Sequence, residues 1–422
     1  MNVCIVGLGY VGLPIWLGFA SSGVKAIGID SDVKKIECIN NGKSYLDHIP
    51  SATVKDVVTN CDVIASTDFS IISEADAIIL CVPTPIDMHN QPDLTYVKNV
   101  LQEILPFLKK GQLLSLESTT YPGTTEELVI PKIEKAKFII GEDFYVAYSP
   151  ERENPGSLEK TEDIPKLIAG ATDACLKKGL DVYSKLFKAM IPVDSLKIAE
   201  MAKLLENIHR SINLGLINEF KIICDSMNID PFDVIKAASS KPFGFVPYYP
   251  GPGWGGHCIP VDPYYLSWKA KEFGLNASFI ELAGNMNKTV IEWLKNKIFK
   301  TLNKHSKSLN GSSILVLGLA YKPNVDDARE SPSLEVFDWL YKSGANIKYS
   351  DDFFPNFPVT RKYGKIDLTT QKITSDLLKN QDLVILLTDH DYYDYDLILS
   401  DSPLIIDCRG RFEVDNKKVY RG

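Results

Sequence analysis

The stretch "NVCIVGLGYVGLPIWLGFASSG", Asn2 to Gly23, decides the fold. An apolar run of strand character leads directly into Gly7-x-Gly9-x-x-Gly12, a helical pattern follows at once, and a second strand-like run, "KAIGID", ends at Asp30. This spacing carries a chemistry. The first glycine makes the tight turn, the second lets backbone approach a pyrophosphate, and the third lets the helix pack on the strand. Phosphates then sit at the helix N-terminus, and the acid closing the second strand accepts from a ribose 2'-hydroxyl. Gly7, Gly9, Gly12 and Asp30 are therefore expected to bind a dinucleotide. A carboxylate at Asp30 would repel a 2'-phosphate, which favours NAD over NADP.

Outward from this unit the same grammar continues. Strands are expected at "ADAIILCVPTP" and "QLLSLESTT", with the helical "LTYVKNVLQEILPFLKK" between them. Alternating strands and helices predict a parallel, doubly wound α/β sheet, whose ligands lie at the strand C-termini. That rule draws attention to Thr84, Ser118 and Thr119, although hydroxyls are also common turn formers. The next strand, "FYVAYSPERENPG", exits into Glu151 and Arg152 and then Pro155-Gly156. An acid at Glu151 could hold a water or a substrate, or pair with Arg152 as a loop salt bridge.

From Leu196, "LKIAEMAKLLENIHRSINLGLINEFKIICDSMNI" has no proline and apolar positions at helical spacing, so one long helix is expected. Its apolar excess predicts pairing with a second copy, hence a homodimer. Lys203, Asn207 and Arg210 fall on one face, where an ammonium and an amide would suit a developing oxyanion or form a solvated edge. After "YPGPGWGGHCIP" and a further helical run, "SILVLGLAYKPNVDDARESPSLEVFDWLYKSGANIKYSDD" restarts the pattern of strand, glycine turn, helix and strand. Its turn has Gly318 without the full GxGxxG, so a second dinucleotide is not expected there in the same manner. Lys322, Arg329 and Arg409 could meet phosphates or be solvated cations. The expected organisation is an N-terminal Rossmann domain over 1–195, a central long-helix domain over 196–305, and a smaller Rossmann-like α/β domain over 306–422.

Cys258 stands in a glycine and proline segment too broken for helix or strand. Gly255-Gly256 precede it, permitting close approach of a ligand, and Asp262 follows four residues later. A cysteine beside a dinucleotide site suggests covalent catalysis at the carbonyl level, and a buried core thiol suits such a loop poorly. The other seven cysteines include several in apolar runs and form no CxxC pair, and the six histidines show no ligand spacing, so no metal site is expected. A net charge of -8 argues against a nucleic-acid partner. No apolar run approaches the ~18 residues of a membrane span, and the start lacks the features of a signal peptide, so the expected compartment is the cytoplasm.

The ordered motifs "GLGYVGLP", "CVPTP", "EST", "SPER", "AKLLEN", "GGHCIPVD" and "GLAYKPNVDDARESP" resemble the UDP-glucose/GDP-mannose dehydrogenase family over essentially the whole chain. "SPERENPG" and the segment around Cys258 look most like the branch that oxidises UDP-N-acetylhexosamines, in particular UDP-N-acetylglucosamine, with UDP-N-acetylgalactosamine, UDP-N-acetylmannosamine and UDP-glucose as the alternative substrates. The resemblance implies oxidation of a sugar primary alcohol to a carboxylate with two NAD+ and one water, feeding surface polysaccharide synthesis. It implies that Cys258 is the nucleophile, that Lys203 and Asn207 stabilise oxyanions, and that Asp262, Glu151 and Thr119 position or activate water. It further implies a substrate site at Glu151, Arg152, Lys203, Asn207, Tyr249, Gly255 and Lys322, and cofactor contacts at Thr84, Thr119 and Arg329. Members acting on UDP-glucose commonly carry an arginine just before the cysteine loop. The corresponding "AASSKPFGFVPYYPGPG" has none, and Lys241 is the available cation. A one-step NAD dehydrogenase would need neither the cysteine nor a second α/β domain. A sugar-binding regulator would have no use for the nucleophile.

Overall fold

Runs such as "AIIL" and "LVIL" are apolar at every position because their strands are covered on both faces, the mark of a parallel sheet packed between helices. The computed structural model describes residues 1–46, 48–153, 160–360, 362–414 and 417–422; Pro155 and Gly156 of the quoted motif lie outside the described residues. The chain forms two units, Met1–Asn207 with Val261–Asn276, and Ile208–Pro260 with Ala277–Gly422.

The first unit holds an eight-stranded sheet. Its strands are β1 (Asn2–Val6), β2 (Lys25–Ile29), β3 (Val63–Ser66), β4 (Ala77–Leu80), β5 (Leu113–Leu116), β6 (Tyr145–Tyr148), β7 (Lys166–Gly170) and β8 (Met190–Pro192), in the order β3-β2-β1-β4-β5-β6-β7-β8. Val6 pairs with Ile29 on one side and Leu80 on the other, so the order reverses at β1, and the glycine turn leaves from the switch point. The all-parallel expectation needs one correction: β7 runs antiparallel to β6, with Ala147 opposite Gly170. Among the described residues of the connection from β6 to β7 the helical element is one short turn, Thr161–Asp163, whereas a parallel pairing needs a long crossover, usually a helix.

The second unit holds a five-stranded parallel sheet of β9 (Ser313–Leu317), β10 (Asn346–Ser350), β11 (Leu383–Leu386), β12 (Ile405–Asp407) and β13 (Val419–Arg421), ordered β10-β9-β11-β12-β13. Its first turn copies the first unit's hydrogen bonds. The Gly7 amide donates to Ile29 O at 2.8 Å and Leu8 N to Asp30 at 2.9 Å. The Gly318 amide donates to Ser350 O at 3.0 Å and Leu319 N to Asp351 at 2.7 Å. In this copy the acid is sealed: His390 Nε2 lies 3.2 Å from Asp351, and neither side chain is exposed. A single helix, Leu196–Ser226, begins in the first unit and continues into the second. Among the described residues no helix is long and apolar enough to cross a membrane.

Candidate active site

The glycine turn of the first unit is cut for a ligand at one position only. Gly7 has φ +94°, and a Cβ there would lie 2.6 Å from Cys81 O. A Cβ on Gly12 would lie 1.9 Å from Gly7 O, so neither glycine tolerates a side chain. At Gly9 a Cβ would meet nothing within 4 Å. That open space, at the start of helix Gly12–Ser21, fits a pyrophosphate against backbone. Asp30 is buried beside it. Its carboxylate accepts from Leu8 N, from Asp32 N at 2.9 Å and from Lys35 Nζ at 3.0 Å. Lys35 was not singled out from the sequence, although its place five residues after Asp30 on the following helix was a readable signal. We expect kcat/KM with NAD+ to exceed that with NADP+ by at least about tenfold, a ~1.4 kcal/mol difference. Initial rates with Asp30→Ser should show a narrower preference, and equal wild-type rates with both cofactors would reject the role given to Asp30.

Thr84 is buried and Thr119 half-buried at the exits of β4 and β5, while Ser118 is spent on the backbone, its hydroxyl donating to Val82 O at 2.6 Å. Glu151, after β6, is ion-paired, but not with Arg152. The Arg152 guanidinium reaches Glu206 at 2.8 Å and Pro165 O at 2.9 Å, whereas Glu151 sits 2.7 Å from Lys166 Nζ and accepts from the Arg152 and Glu153 amides at 2.7 Å each. Burial pushes the Glu151 carboxyl up, but Lys166 and the two amides outweigh it and hold the group below its ordinary range.

The long helix contributes Lys203 and Asn207, both buried, which rules out a solvated edge for these two. Arg210 is exposed, so the three-residue stripe divides. Asn207 Nδ2 donates to Asp262 Oδ2 at 2.6 Å, and Asp262 opens helix Asp262–Lys271. Burial pushes the Asp262 carboxyl up to about 7, against the opposing pull of Lys203 and Asn207. Glu200 precedes Lys203 by three residues and would have extended the stripe. Its carboxylate, also pushed up to about 7 by burial, accepts from Gly123 N at 2.5 Å, Thr125 N at 2.9 Å and Thr125 Oγ1 at 2.7 Å. It thereby ties the segment after Thr119 to the long helix.

In the second unit Cys258 is half-buried in a segment without helix or strand, and none of the eight cysteines forms a disulfide. The loop is pinned along its length. Asn218 Oδ1 accepts from Gly251 N at 3.1 Å, Lys221 Nζ donates to Gly251 O at 2.8 Å, Asn287 Oδ1 accepts from Trp254 N at 2.8 Å, and Gly256 N donates to Arg329 O at 2.9 Å. A Cβ on Gly255 would lie 2.6 Å from Glu330 O and 2.9 Å from Tyr321 Cβ. A side chain at Gly255 would therefore run into the chain's own Tyr321–Glu330 segment, which by itself calls for a glycine there. Lys322, on that segment, is held below the usual lysine range by burial first and by Arg210, while Asp327 and Cys258 pull it up. Cys258, Arg210 and Lys322 therefore share one electrostatic environment. Arg329 is bound to Asp327 through Nε at 2.9 Å and Nη2 at 2.7 Å. Tyr249 is exposed and stacks on Phe232, ring centroids 6.5 Å apart. Among the described residues no group of three or more His, Cys, Asp or Glu is arranged to hold a metal ion.

Three family models cover the chain in order. The NAD binding domain of the UDP-glucose/GDP-mannose dehydrogenase family matches residues 1–190, its central domain 197–289 and its UDP binding domain 315–414. The chain belongs to the UDP-glucose/GDP-mannose dehydrogenase family. It is an NAD-dependent UDP-sugar dehydrogenase, and NAD is its cofactor. It is 34% identical to Protein CapL of Staphylococcus aureus, over 99% of this chain and 98% of that protein. It is also 34% identical to the UDP-N-acetyl-D-glucosamine 6-dehydrogenase of Salmonella typhi, over 88% of this chain and 87% of that protein. The solved structure of the UDP-N-acetyl-mannosamine dehydrogenase Cap5O from Staphylococcus aureus matches with a TM-score of 0.85 and 31% identity, over 100% of this chain and 98% of that one.

Proposed function

We propose that this dehydrogenase oxidises C6 of UDP-N-acetylglucosamine to the carboxylate through a thioester on Cys258. The observation that carries the reading is Cys258 in a pinned, half-buried loop, sharing its electrostatic environment with Lys322 and Arg210. NAD, held at the glycine turn, supplies the hydride acceptor twice per sugar. Cys258 Sγ adds to the C6 aldehyde to form a thiohemiacetal, whose oxidation leaves a thioester. Water then cleaves the C–S bond, freeing the thiol and the uronic acid. Per sugar, one alcohol and one water become a carboxylate, two hydrides and three protons. Lys203 and Asn207 donate to the oxyanions of these steps, and Asp262, Glu151 and Thr119 position or activate water. Lys322, Arg152, Tyr249 and Gly255 form or support the sugar-nucleotide site, and Thr84, Thr119 and Arg329 the cofactor site.

The domain division 1–195, 196–305 and 306–422 belongs to this reading and is supported by the three family-model spans. So does a homodimer along the long helix, where Ile198, Met201, Leu205, Leu216 and Ile223 are exposed at helical spacing on one face.

The C2 epimer, UDP-N-acetylmannosamine, is the second reading, favoured by the likeness to Cap5O. NADH formation with a panel of UDP-sugars tests both. The kcat/KM with UDP-N-acetylglucosamine should exceed that with UDP-glucose by at least about tenfold, a difference of ~1.4 kcal/mol. A higher value with the mannosamine epimer would install the second reading, and faster turnover of UDP-glucose would remove the acetamido assignment altogether.

A further inference from the structure

Behind Glu151 lies a buried polar chain that the proposed chemistry leaves unused. Lys166, the first residue of β7, has a side chain only 2% exposed, with Nζ 2.6 Å from Glu117 Oε2 and 2.7 Å from Glu151 Oε2. Glu117 follows β5, and its other oxygen, Oε1, lies 2.7 Å from the hydroxyl of Tyr183 at the end of helix Asp173–Tyr183. That hydroxyl is also 2.9 Å from Ser115 Oγ. The Phe187 ring lies 4.9 Å from the Lys166 ammonium and that of Tyr183 5.8 Å away. Among the described residues the other titratable groups facing the cluster are Cys81 after β4 and Glu153 beside Glu151.

Two carboxylates sharing one ammonium away from water leave a net negative charge, which binding one proton removes. The hydrogen bonds decide where that proton goes. Glu151 accepts from Lys166 and two backbone amides, and every donor favours its ionised form. Glu117 is the more deeply buried and shares only Lys166 and Tyr183. The Tyr183 hydroxyl can turn its proton to Ser115 and accept from a protonated Glu117 with no heavy atom moving. The charges agree with the geometry. Burial pushes Glu117 up to about 7, while two carboxylates outweigh burial at Lys166 and keep its ammonium protonated.

We propose that Lys166 and Glu117 are positioning residues for Glu151: Lys166 holds its carboxylate ionised and in place, and Glu117, backed by Tyr183 and Ser115, takes the proton in its stead. This rests on Glu151 acting as a carboxylate in the reaction. Two measurements test it. Infrared difference spectra of the protein alone, between pH 5.5 and 8.5, should show a protonated-carboxyl band that disappears in the isosteric Glu117→Gln. Persistence of every such band in Glu117→Gln, with loss of one in Glu151→Gln, would place the proton on Glu151 and overturn the proposal.

The double variant Lys166→Met/Glu117→Gln removes the ammonium, leaves an uncharged group in place of the protonated Glu117, and strips Glu151 of its cation. Its kcat with UDP-sugar at pH 7.5 should fall at least about tenfold, KM should stay within about threefold, and activity should recover as pH rises, with the acid limb moved up by about a unit or more. Glu117→Gln alone, which keeps Lys166 on Glu151, should leave that limb where it is or lower. A folded double variant with the wild-type pH profile would make Lys166 merely structural and sink the proposal. Should the double variant not fold, the single one still decides where the proton resides. If no UDP-sugar is oxidised by the wild type, the proposed function fails, while the infrared result still decides the placement of the proton.

Discussion

Cys258→Ser should bind NAD+ and UDP-sugar as the wild type does, yet lose sustained NADH formation by about a thousandfold or more, ~4 kcal/mol of barrier. A hydride acceptor by itself stops at the aldehyde or its hydrate. Sulfur opens the route to the acid because a thiolate is far more accessible near neutral pH than an alkoxide, and because a thioester yields to water more readily than an ester. The surroundings suit that role, since Lys322, which interacts electrostatically with both Cys258 and Arg210, belongs to the same unit as the cysteine. Steady-state NADH, calorimetric binding of both ligands, and intact-mass measurement for a trapped sugar adduct check the expectation. Two NADH per sugar at near wild-type rate in Cys258→Ser would remove the thiol from the mechanism and leave Asp262 with a bound water as the leading alternative.

Lys203→Met should lower kcat by about a hundredfold to a thousandfold, the usual cost of one preorganised oxyanion donor. The same change should raise the Asp262 carboxyl above its value of about 7, because Lys203 opposes the desolvation that lifts it. The sign for stability follows. The Asp262 carboxyl is raised in the folded protein, so its contribution is fully present below the ordinary aspartate range and is lost as pH rises through about 7. In Lys203→Met that loss grows and extends to higher pH, so the variant's stability deficit relative to wild type should be larger at pH 8.5 than at pH 5.5. Urea denaturation at the two pH values reads it. A deficit independent of pH would show that Lys203 and Asp262 are not electrostatically linked, and an unchanged kcat would end the oxyanion role.

Much of the molecule was legible because its signals are local. The turn at Gly7 needs a positive φ, and Gly12 has no room for a Cβ. A pattern of apolar runs, glycines and an acid reports those demands within thirty residues. The restart of that pattern near Gly318 likewise announced a second sheet. The long helix was readable from an uninterrupted 3.6-residue period, and the cysteine loop from the density of glycine and proline around Cys258.

What the tertiary structure decided are pairings between residues distant in the chain. Nothing near Lys166 marks it as the partner of Glu151 and Glu117; "IPKLIAG" reads as the polar entry to a strand, and only the antiparallel return of β7 beside β6 brings the ammonium between the two acids. Gly255 reads in sequence as room for a ligand, and only the fold shows that a side chain there would also meet the Tyr321–Glu330 segment. Adjacency left Arg152 open as one possible partner of Glu151, yet successive side chains diverge, and its guanidinium meets Glu206 instead. Lys203, Asn207 and Arg210 share a helical face in sequence, but burial separates the first two from the third. Sequence alone determined which chemical groups this protein carries and in what local geometry. Charge states and partners were left to the fold, because desolvation and Coulomb interactions depend on distances through space that no spacing along the chain specifies.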